Sequence, residues 1–371
     1  MEIIITMIVD RNSPIPLYFQ LQTWLQEQIE QGVFKPDDKI PTEEELGEIT
    51  GLARATIRKA INNLVNMGYL RRKRRLGTFV EHHSKSENKR DIVGIIVPDI
   101  RTGYTPELVR GIEDEAANNR LSTILCNTDD LFFKANFHAE RLINNSVCCV
   151  IFVPTAASDD KNQEIVDKFI NRDIPVILAD RTIDNTELDY VTTNNFDGGY
   201  QLTKYLINKG HKHIGITLST LFSTERERFE GYKQALIDSG IEPDPRLIKL
   251  HDGPYTDEHY VKLAKKLLQK QDKITAIFAG HDRIAYVIYS VAKDMGISIP
   301  EDISVVGYDD LNPNYSNLMP LTTMHQPIYE MGQESLNILL KRNKGAFDSP
   351  QQIVLKSRLI ERDSVFSLNK D

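Results

Sequence analysis

The sequence has few cysteines and no long apolar run. Its three cysteines, Cys126, Cys148 and Cys149, are an odd number without Cys-x-x-Cys spacing, which excludes a disulfide framework and favours a reducing compartment. A membrane span needs about 18 uninterrupted apolar residues, and no such run occurs. The apolar start, residues 3–9, lacks the basic segment of a secretory signal. We therefore expect a cytoplasmic protein without a membrane partner.

Common catalytic and metal motifs are absent too. The sequence contains no G-x-x-x-x-G-K-[ST], G-x-G-x-x-G, G-x-S-x-G or H-E-x-x-H, the signatures of nucleotide-binding loops, serine hydrolases and zinc proteases. The adjacent His82 and His83 have no second ligand pair nearby. His211 and His213 have H-x-H spacing but fit a turn into a strand. We therefore predict no metal, no cofactor and no enzyme.

Basic residues are concentrated near the N-terminus of an acidic chain. The net charge is −8, yet residues 1–90 hold 14 basic and 12 acidic residues. From Arg54 to Arg75 there are eight basic residues and no acidic one. Five adjacent cations, residues 71–75, would repel one another without a polyanion nearby. This pattern predicts one DNA-facing module.

Residues 11–81 have the periodicity of three helices followed by a basic hairpin. Thr42 and Glu45 form a capping box at the start of the second helix. At 100° per residue, the third helix places Arg58 and Lys59 opposite its apolar face. This order predicts a winged helix-turn-helix, whose third helix enters the major groove while the hairpin carries cations to phosphates. The alternative is a three-helix domain that binds another protein.

Four blocks in this region resemble the GntR-type winged-helix family. They are Pro16-Leu17-Tyr18-x-Gln20-Leu21, Lys39-Ile40-Pro41-Thr42-Glu43-x-Glu45-Leu46, Arg54-x-Thr56-Ile57-Arg58-x-Ala60 and Gly77-Thr78-Phe79-Val80. The helix pattern and this resemblance imply DNA contacts from Thr42, Glu43, Arg54, Thr56, Arg58, Lys59, Arg74, Arg75 and Gly77. Two positions depart from the family: Ala53 replaces the usual serine, and Arg75 replaces a wing glycine.

The remainder of the chain alternates short apolar runs with helical stretches. Strands are predicted at 92–97, 122–126, 147–153, 174–179, 214–218, 274–279 and 303–308, and helices near 105–119, 161–172, 198–209, 226–239, 258–270, 283–295 and 329–341. Alternating strands and helices imply mostly parallel sheets covered on both faces. The predicted fold class is α/β: a small winged helix-turn-helix, a polar linker at 82–91, and a two-lobed unit at 92–371 that senses sugar and dimerises.

Charged and aromatic side chains follow the predicted strands. Ligands bind beyond the carboxyl ends of parallel strands, and carboxylates, guanidiniums and aromatic rings together suit a polyhydroxylated ligand because charged partners form strong hydrogen bonds with hydroxyl groups. Taken singly, each of these residues would be an ordinary ion pair or helix cap. Their shared location favours a binding site.

These residues also resemble the LacI/GalR-type repressors and the related periplasmic sugar-binding proteins. The most specific stretches are Ala279-x-x-Asp282-x-x-Ala285, residues 296–310, Pro320-Leu321-Thr322-Thr323-x-x-Gln326-Pro327 and Met331-Gly332. The resemblance implies a sugar site built from Tyr104, Asp180, Arg181, Arg228, Tyr255, His281, Asp282, Asp309 and Gln326. His281 replaces a common asparagine, so binding is expected to depend on pH near the ordinary histidine pKa of about 6.5.

A GntR-type reader fused to a LacI-type sensor resembles the arabinose-responsive repressors. We therefore expect a homodimeric repressor that binds double-stranded operator DNA and is released by a small sugar such as L-arabinose or a related monosaccharide. The alternatives are an activator, a regulator that answers another sugar, a sugar phosphate or a nucleoside, a sugar-binding protein without a DNA function, and a fusion to a pyridoxal-phosphate enzyme.

Overall fold

The chain forms two compact units, Met1–Arg90 and Asp91–Asp371. The computed structural model describes residues 9–11, 13, 15–30, 32–73, 76–81, 91–101, 103–251, 257–269, 274–311 and 320–369. The predicted wing residues Arg74 and Arg75, the predicted ligand residue Tyr255 and residues 82–90 of the predicted linker lie outside this description.

In its described part, the first unit has three helices and a hairpin, as predicted. The elements are α1 (Leu17–Glu30), α2 (Glu43–Thr50), α3 (Arg54–Asn66), β1 (Leu70–Lys73) and β2 (Gly77–Val80), and the two strands pair antiparallel. The capping box forms, because Thr42 Oγ1 accepts from the Glu45 amide and the Glu45 carboxylate accepts from the Thr42 amide. Gly51 ends α2 at a φ of 66°, a left-handed conformation that glycine adopts at little cost. Its sharp turn leads into α3, whose apolar side packs in the core of the unit.

The second unit alternates strands and helices. Its elements are β3 (Ile92–Val97), α4 (Thr105–Asn118), β4 (Ser122–Asn127), α5 (Phe132–Asn144), β5 (Cys149–Phe152), α6 (Asp159–Ile170), β6 (Val176–Ala179), β7 (Asp189–Thr193), α7 (Asn195–Asn208), β8 (Ile214–Ser219), α8 (Ser223–Ile237), β9 (Ile248–His251), α9 (Asp257–Leu268), β10 (Ala276–Ala279), α10 (Asp282–Asp294), β11 (Ser304–Val306), β12 (Thr323–His325), α11 (Ile328–Asn343), β13 (Gln352–Leu355) and β14 (Arg358–Ile360). None of the described helices is long and apolar enough to cross a membrane.

Two parallel sheets divide this unit into two lobes. Strands of the first lobe have the order β13-β7-β6-β5-β3-β4, and those of the second β11-β10-β8-β9. Helices α4 and α11 cover one face of the first sheet, and α5 and α6 cover the other. The second sheet lies between α9 and α10 on one side and α7 and α8 on the other. Burial on both faces explains why the central strands read as continuous apolar runs.

The described chain passes between the lobes at three crossings. The first joins β7 to α7 at residues 193–195, the second joins β12 to α11 at 325–328, and the third joins β13 to β14 at 355–358. Strands β12 and β14 pair with each other beside the second lobe, while β13 pairs with β7 in the first. These connections align the carboxyl ends of both sheets with a common cleft.

Candidate functional site

Helix α3 presents cations on the side opposite its core face. Ile57 and Ile61 are buried, whereas the side chains of Arg54 and Arg58 are 76% and 54% exposed. Lys59 is exposed too, and its Nζ lies 3.8 Å from the centroid of the Tyr18 ring. The face predicted to meet DNA is therefore open and positively charged.

Glu43 lies among three arginines on this surface. One of its oxygens is 3.2 Å from Arg54 Nε and 3.1 Å from Arg58 Nη2, and the other is 3.8 Å from Arg72 Nη2. Hydrogen bonding to Arg58 holds the pKa of Glu43 below its ordinary value. Exposed pairs of this kind contribute at most about 1 kcal/mol each, so a phosphate or a base can displace them. Glu43 thus orients guanidiniums from α3 and β1 without locking them.

The other predicted DNA residues flank this cluster. Thr42 is exposed and caps α2, and Thr56 is half-buried on α3. Gly77 begins β2 at a φ of 122°, and a Cβ there would lie 2.6 Å from Lys39 Cε. Ala53 occupies the N-cap position of α3 and makes no side-chain hydrogen bond to the helix. This absence is expected, because the serine usual in the family would supply a capping hydroxyl.

A cavity of about 420 Å³ lies at the carboxyl ends of the strands of both lobes. Six of the predicted ligand residues line it: Tyr104, Asp180, Arg181, Arg228, His281 and Asp309. Four aspartates of the wall have positive φ, namely Asp129, Asp130, Asp180 and Asp309. Non-glycine residues pay a conformational cost there, and such strain collects at functional sites.

Asp180 is the wall residue with unused hydrogen-bonding capacity. It is 2% exposed, and its Oδ1 has no hydrogen-bond partner among the described residues. The buried Tyr104 hydroxyl interacts with Asp180 as a weak hydrogen-bond donor, without the geometry of a full hydrogen bond. Burial raises the pKa of both groups. A ligand that donates a hydrogen bond to Asp180 would remove part of this desolvation cost.

Arg181 is held by groups of its own lobe and by an aromatic ring. Its Nη1 donates to Asp130 and, at 2.9 Å, to the carbonyl of Pro154. The guanidinium carbon lies 3.7 Å from the centroid of the Phe222 ring, which comes from the other lobe. This cation–π contact spans the cleft.

Arg228 is fixed from three sides. Its Nε donates to Asn195 Oδ1 at 2.9 Å, its Nη1 donates to the Gly280 carbonyl at 2.8 Å, and its Nη2 is 3.6 Å from Asp309. The Tyr308 ring lies flat beneath it, 3.6 Å from the guanidinium carbon. Burial raises the pKa of Asp309 well above its ordinary value. The buried pair therefore forms a rigid polar wall in the second lobe.

Comparisons with known proteins are consistent with both the cationic face of α3 and the cavity between the lobes. Residues 90–361 match the family described as periplasmic binding proteins and the sugar binding domain of the LacI family. The chain belongs to this family. Residues 17–80 match the bacterial regulatory proteins of the gntR family. The predicted fusion of a GntR-type reader with a LacI-type sensor is confirmed.

Individual relatives show the same likeness. The transcriptional repressor PurR of Actinobacillus pleuropneumoniae is 31% identical over 281 residues, covering 75% of this chain and 82% of that protein. A LacI family regulator from Enterococcus faecium, solved with bound ribose, is 30% identical with a TM-score of 0.65. The regulator CcpA of Lactococcus lactis is 28% identical with a TM-score of 0.67. Each of these two structures is covered completely and matches 75% of this chain. The chain is a DNA-binding transcriptional repressor with a LacI-type sensor, not an enzyme.

Two predicted ligand residues of the LacI-type sensor do not line the cavity. Asp282 accepts from Thr323 Oγ1 at 2.6 Å and from the Leu311 amide at 2.9 Å, so it holds the chain after β11 in place. Gln326 is buried behind Asp309 and donates to it at 2.7 Å. The sequence pattern placed both residues near the site but did not distinguish a wall residue from its support.

The surroundings of His281 weigh against the expected pH dependence near 6.5. Burial, with Arg228 and Arg283 nearby, lowers the pKa of His281 to about 3. Its Nδ1 accepts from the Ile284 amide at the start of α10, which leaves the proton on Nε2. The neutral ring therefore caps the helix with Nδ1, as an asparagine side chain would.

Sequence reasoning missed several wall residues, among them Asp130, Phe222 and Glu225. Asp130 pairs with Arg181, Phe222 stacks on Arg181, and burial raises the pKa of Glu225 to about 7. Asp130 belongs to an Asp-Asp turn shortly after strand β4, and this strand-end position could have identified it as a candidate ligand residue. Phe222 directly precedes α8 and Glu225 lies in its first turn, where no spacing rule singles them out.

Replacing Asp282 by asparagine is expected to stabilise the protein increasingly, relative to wild type, as the pH rises from 5 to 7. Burial raises the pKa of Asp282 to about 7, above the unfolded value of about 3.9. Native wild-type protein therefore gains stability by protonation as the pH falls through 7 and loses it as the pH rises. The difference should change by up to about 1.4 kcal/mol per pH unit and level off above pH 7.

Urea unfolding followed by circular dichroism measures this difference. Loss of one acceptor for Thr323 or Leu311 adds an offset that does not vary with pH, so the slope is the test. Asp294→Asn, exposed at the end of the same helix, is the control. Parallel stability curves for Asp282→Asn and wild type would contradict the prediction.

Proposed function

We propose that this protein is a homodimeric repressor that dissociates from its operator DNA when it binds an uncharged small sugar such as L-arabinose or a related monosaccharide. Residues 11–81 read DNA, residues 82–91 link the units, and residues 92–371 sense the sugar and dimerise. The observation that carries the proposal is Asp180, a buried carboxyl group whose Oδ1 lacks a well-formed hydrogen bond to any described residue and which lines a cavity between two lobes.

The cationic face of α3 supports sequence-specific DNA binding. Arg54 and Arg58 project from its first two turns, where the recognition helix of a winged domain meets base edges. An arginine fork can bind guanine O6 and N7 together. Two copies related by a twofold axis would read half-sites of a palindrome about one helical turn apart.

The charges of the cavity favour a ligand without a phosphate. Its carboxylates are Asp99, Asp129, Asp130, Asp180, Glu225 and Asp309. Arg101 is paired with Asp99, Arg181 with Asp130 and Arg228 with Asp309, and Arg283 also has an interaction within the protein. A phosphate would have to displace these carboxyl groups from guanidiniums that are already engaged. A sugar hydroxyl, in contrast, can donate a hydrogen bond to Asp180.

Sugar binding acts on DNA by changing which lobe arrangement is favoured. A ligand that contacts Asp180 in one lobe and Arg228 or His281 in the other binds best when the cleft is closed. It releases DNA only if the closed arrangement has the lower operator affinity, and coupling of about 1–3 kcal/mol is usual.

Fluorescence anisotropy with the protein's own promoter fragment tests the proposal. We expect tight binding without sugar and roughly 5- to 150-fold weaker binding with the inducing member of a panel of L-arabinose, D-ribose, D-xylose and D-galactose. Arabinose 5-phosphate and ribose 5-phosphate should have no effect. Unchanged operator affinity with every sugar would refute induction, and release by a sugar phosphate would refute the uncharged ligand. In vitro transcription from the same fragment distinguishes repression from activation.

A further inference from the structure

A closed chain of buried polar contacts joins the cavity wall to two of the crossings between the lobes. Arg228 donates to Asn195 Oδ1 at 2.9 Å, and Asn195 Nδ2 donates to the Thr193 carbonyl at 3.0 Å. Thr193 Oγ1 donates to Gln326 Oε1. Gln326 Nε2 donates to Asp309 Oδ1 at 2.7 Å, and Asp309 returns to Arg228 at 3.6 Å. We call these five residues the hinge ring.

The hinge ring is almost completely shielded from water. Asn195 is 0% exposed, Thr193 1%, Gln326 2%, Arg228 3% and Asp309 9%. Because water has little access to Thr193, Asn195 and Gln326, breaking a contact among these three leaves a buried polar group without a partner. The ring therefore resists partial disruption, and a shift of one member favours a shift of the others.

Some members of the hinge ring line the cavity, and the others lie on the crossings between the lobes. Arg228 and Asp309 line the cavity. Thr193 and Asn195 lie on the first crossing, and Gln326 lies on the second. The third crossing is connected through Tyr308, whose ring lies under Arg228 and whose hydroxyl is 3.3 Å from Ser357 Oγ. Hinge motions concentrate their backbone changes in such short connections.

We infer that Thr193, Asn195 and Gln326 are positioning residues that transmit sugar binding at Arg228 and Asp309 to the backbone of the lobe crossings. They act without touching the sugar. This inference rests on the proposed function, because it concerns how the same cavity controls DNA. It explains why Gln326 is placed behind the wall: its amide links Asp309 to Thr193.

The test separates sugar affinity from the coupling between sugar and operator. Thr193→Val removes the ring's hydroxyl donor with little change in shape, and Thr193→Ser restores it. Thr203→Val is the matched control, because Thr203 is equally buried and its hydroxyl donates to the Gly199 carbonyl within α7, outside the ring. For each full-length variant, calorimetry gives the affinity for the most effective sugar of the panel above. Anisotropy gives the ratio of operator affinities without and with that sugar at saturation.

We expect Thr193→Val to keep sugar affinity within about threefold of wild type while its operator ratio falls at least about fivefold toward 1. Thr193→Ser and Thr203→Val should keep the wild-type ratio. Ser357 is half-buried at the third crossing. Ser357→Ala should also lower the operator ratio, and it replaces Thr193→Val as the test variant if Thr193→Val does not fold.

Equal operator ratios in Thr193→Val and Thr203→Val would overturn the inference, and so would a parallel loss of sugar affinity and ratio in Thr193→Val. If Thr193→Val does not fold, a wild-type ratio in Ser357→Ala would overturn it. A wild-type protein that ignores every sugar would refute the proposed function first, and the inference with it. The wild-type measurement therefore distinguishes the two failures.

Discussion

Replacing Arg58 by alanine is expected to weaken binding to the specific operator about 10- to 100-fold. The Arg58 guanidinium is more than half exposed on α3, and among the described residues its hydrogen bonds go to Glu43 on the same surface. One base contact by an arginine fork contributes about 1–3 kcal/mol of discrimination, which corresponds to this range. Binding to unrelated DNA should fall much less. Anisotropy titrations with operator and scrambled duplexes at the same salt concentration measure both.

Two further variants identify the kind of contact. Arg58→Lys keeps the charge but loses the planar fork, so it should lose nearly as much specificity as Arg58→Ala if Arg58 reads a base. Asn66→Ala, exposed at the far end of the same helix, should bind the operator normally. Sugar affinity should be unchanged in all three. Operator affinity within twofold of wild type in Arg58→Ala would place another face of α3 against DNA.

The GntR-type unit could be predicted almost completely from sequence because its signals are local. Capping by Thr42 and Glu45, the turn at Gly51 and the apolar face of α3 each depend on residues within one turn of each other. The structure has all three. The contact of Glu43 with Arg72 was not predictable, since it depends on how the hairpin folds back toward α2.

The LacI-type sensor was predicted well where its strands are continuous apolar runs, including the edge strands β4 and β11. Strands with polar positions were missed, among them the internal strand β7 and the edge strands β9 and β13. Strands such as Ile92–Val97 are buried on both faces and read as apolar runs, whereas Ile248–His251 and Gln352–Leu355 are edge strands with polar or exposed positions. Helix Phe132–Asn144 was missed although it buries a regular apolar face. Asp282 and Gln326 were predicted as ligand residues but do not line the cavity, because strand-end position indicates proximity to a cavity but not side-chain direction.

Replacing Asp180 by asparagine is expected to lower sugar affinity about 10- to 100-fold without lowering thermal stability. A hydrogen bond to a charged group contributes about 1.5–3 kcal/mol, and Asp180 has an oxygen free to accept one. Asparagine keeps the shape and tolerates the φ of 63° at this position. It also removes a charge that is costly to bury, so the sugar-free protein should melt at the same temperature or higher. Calorimetry and thermal melting measure the two quantities.

Asp173→Asn is a closely matched control for this change. Asp173 lies shortly before β6, the strand that Asp180 directly follows, and it also has a positive φ, of 54°. Its replacement by asparagine removes the same charge, but Asp173 is exposed and does not line the cavity. It should leave sugar affinity and operator release unchanged. In Asp180→Asn, the sugar concentration needed for half-maximal operator release should rise by the same factor as the dissociation constant, because the variant alters the ligand contact and not the lobe crossings. Wild-type affinity in Asp180→Asn would mean that the sugar does not reach this oxygen, and the site would then have to be built on Arg228 and His281 alone.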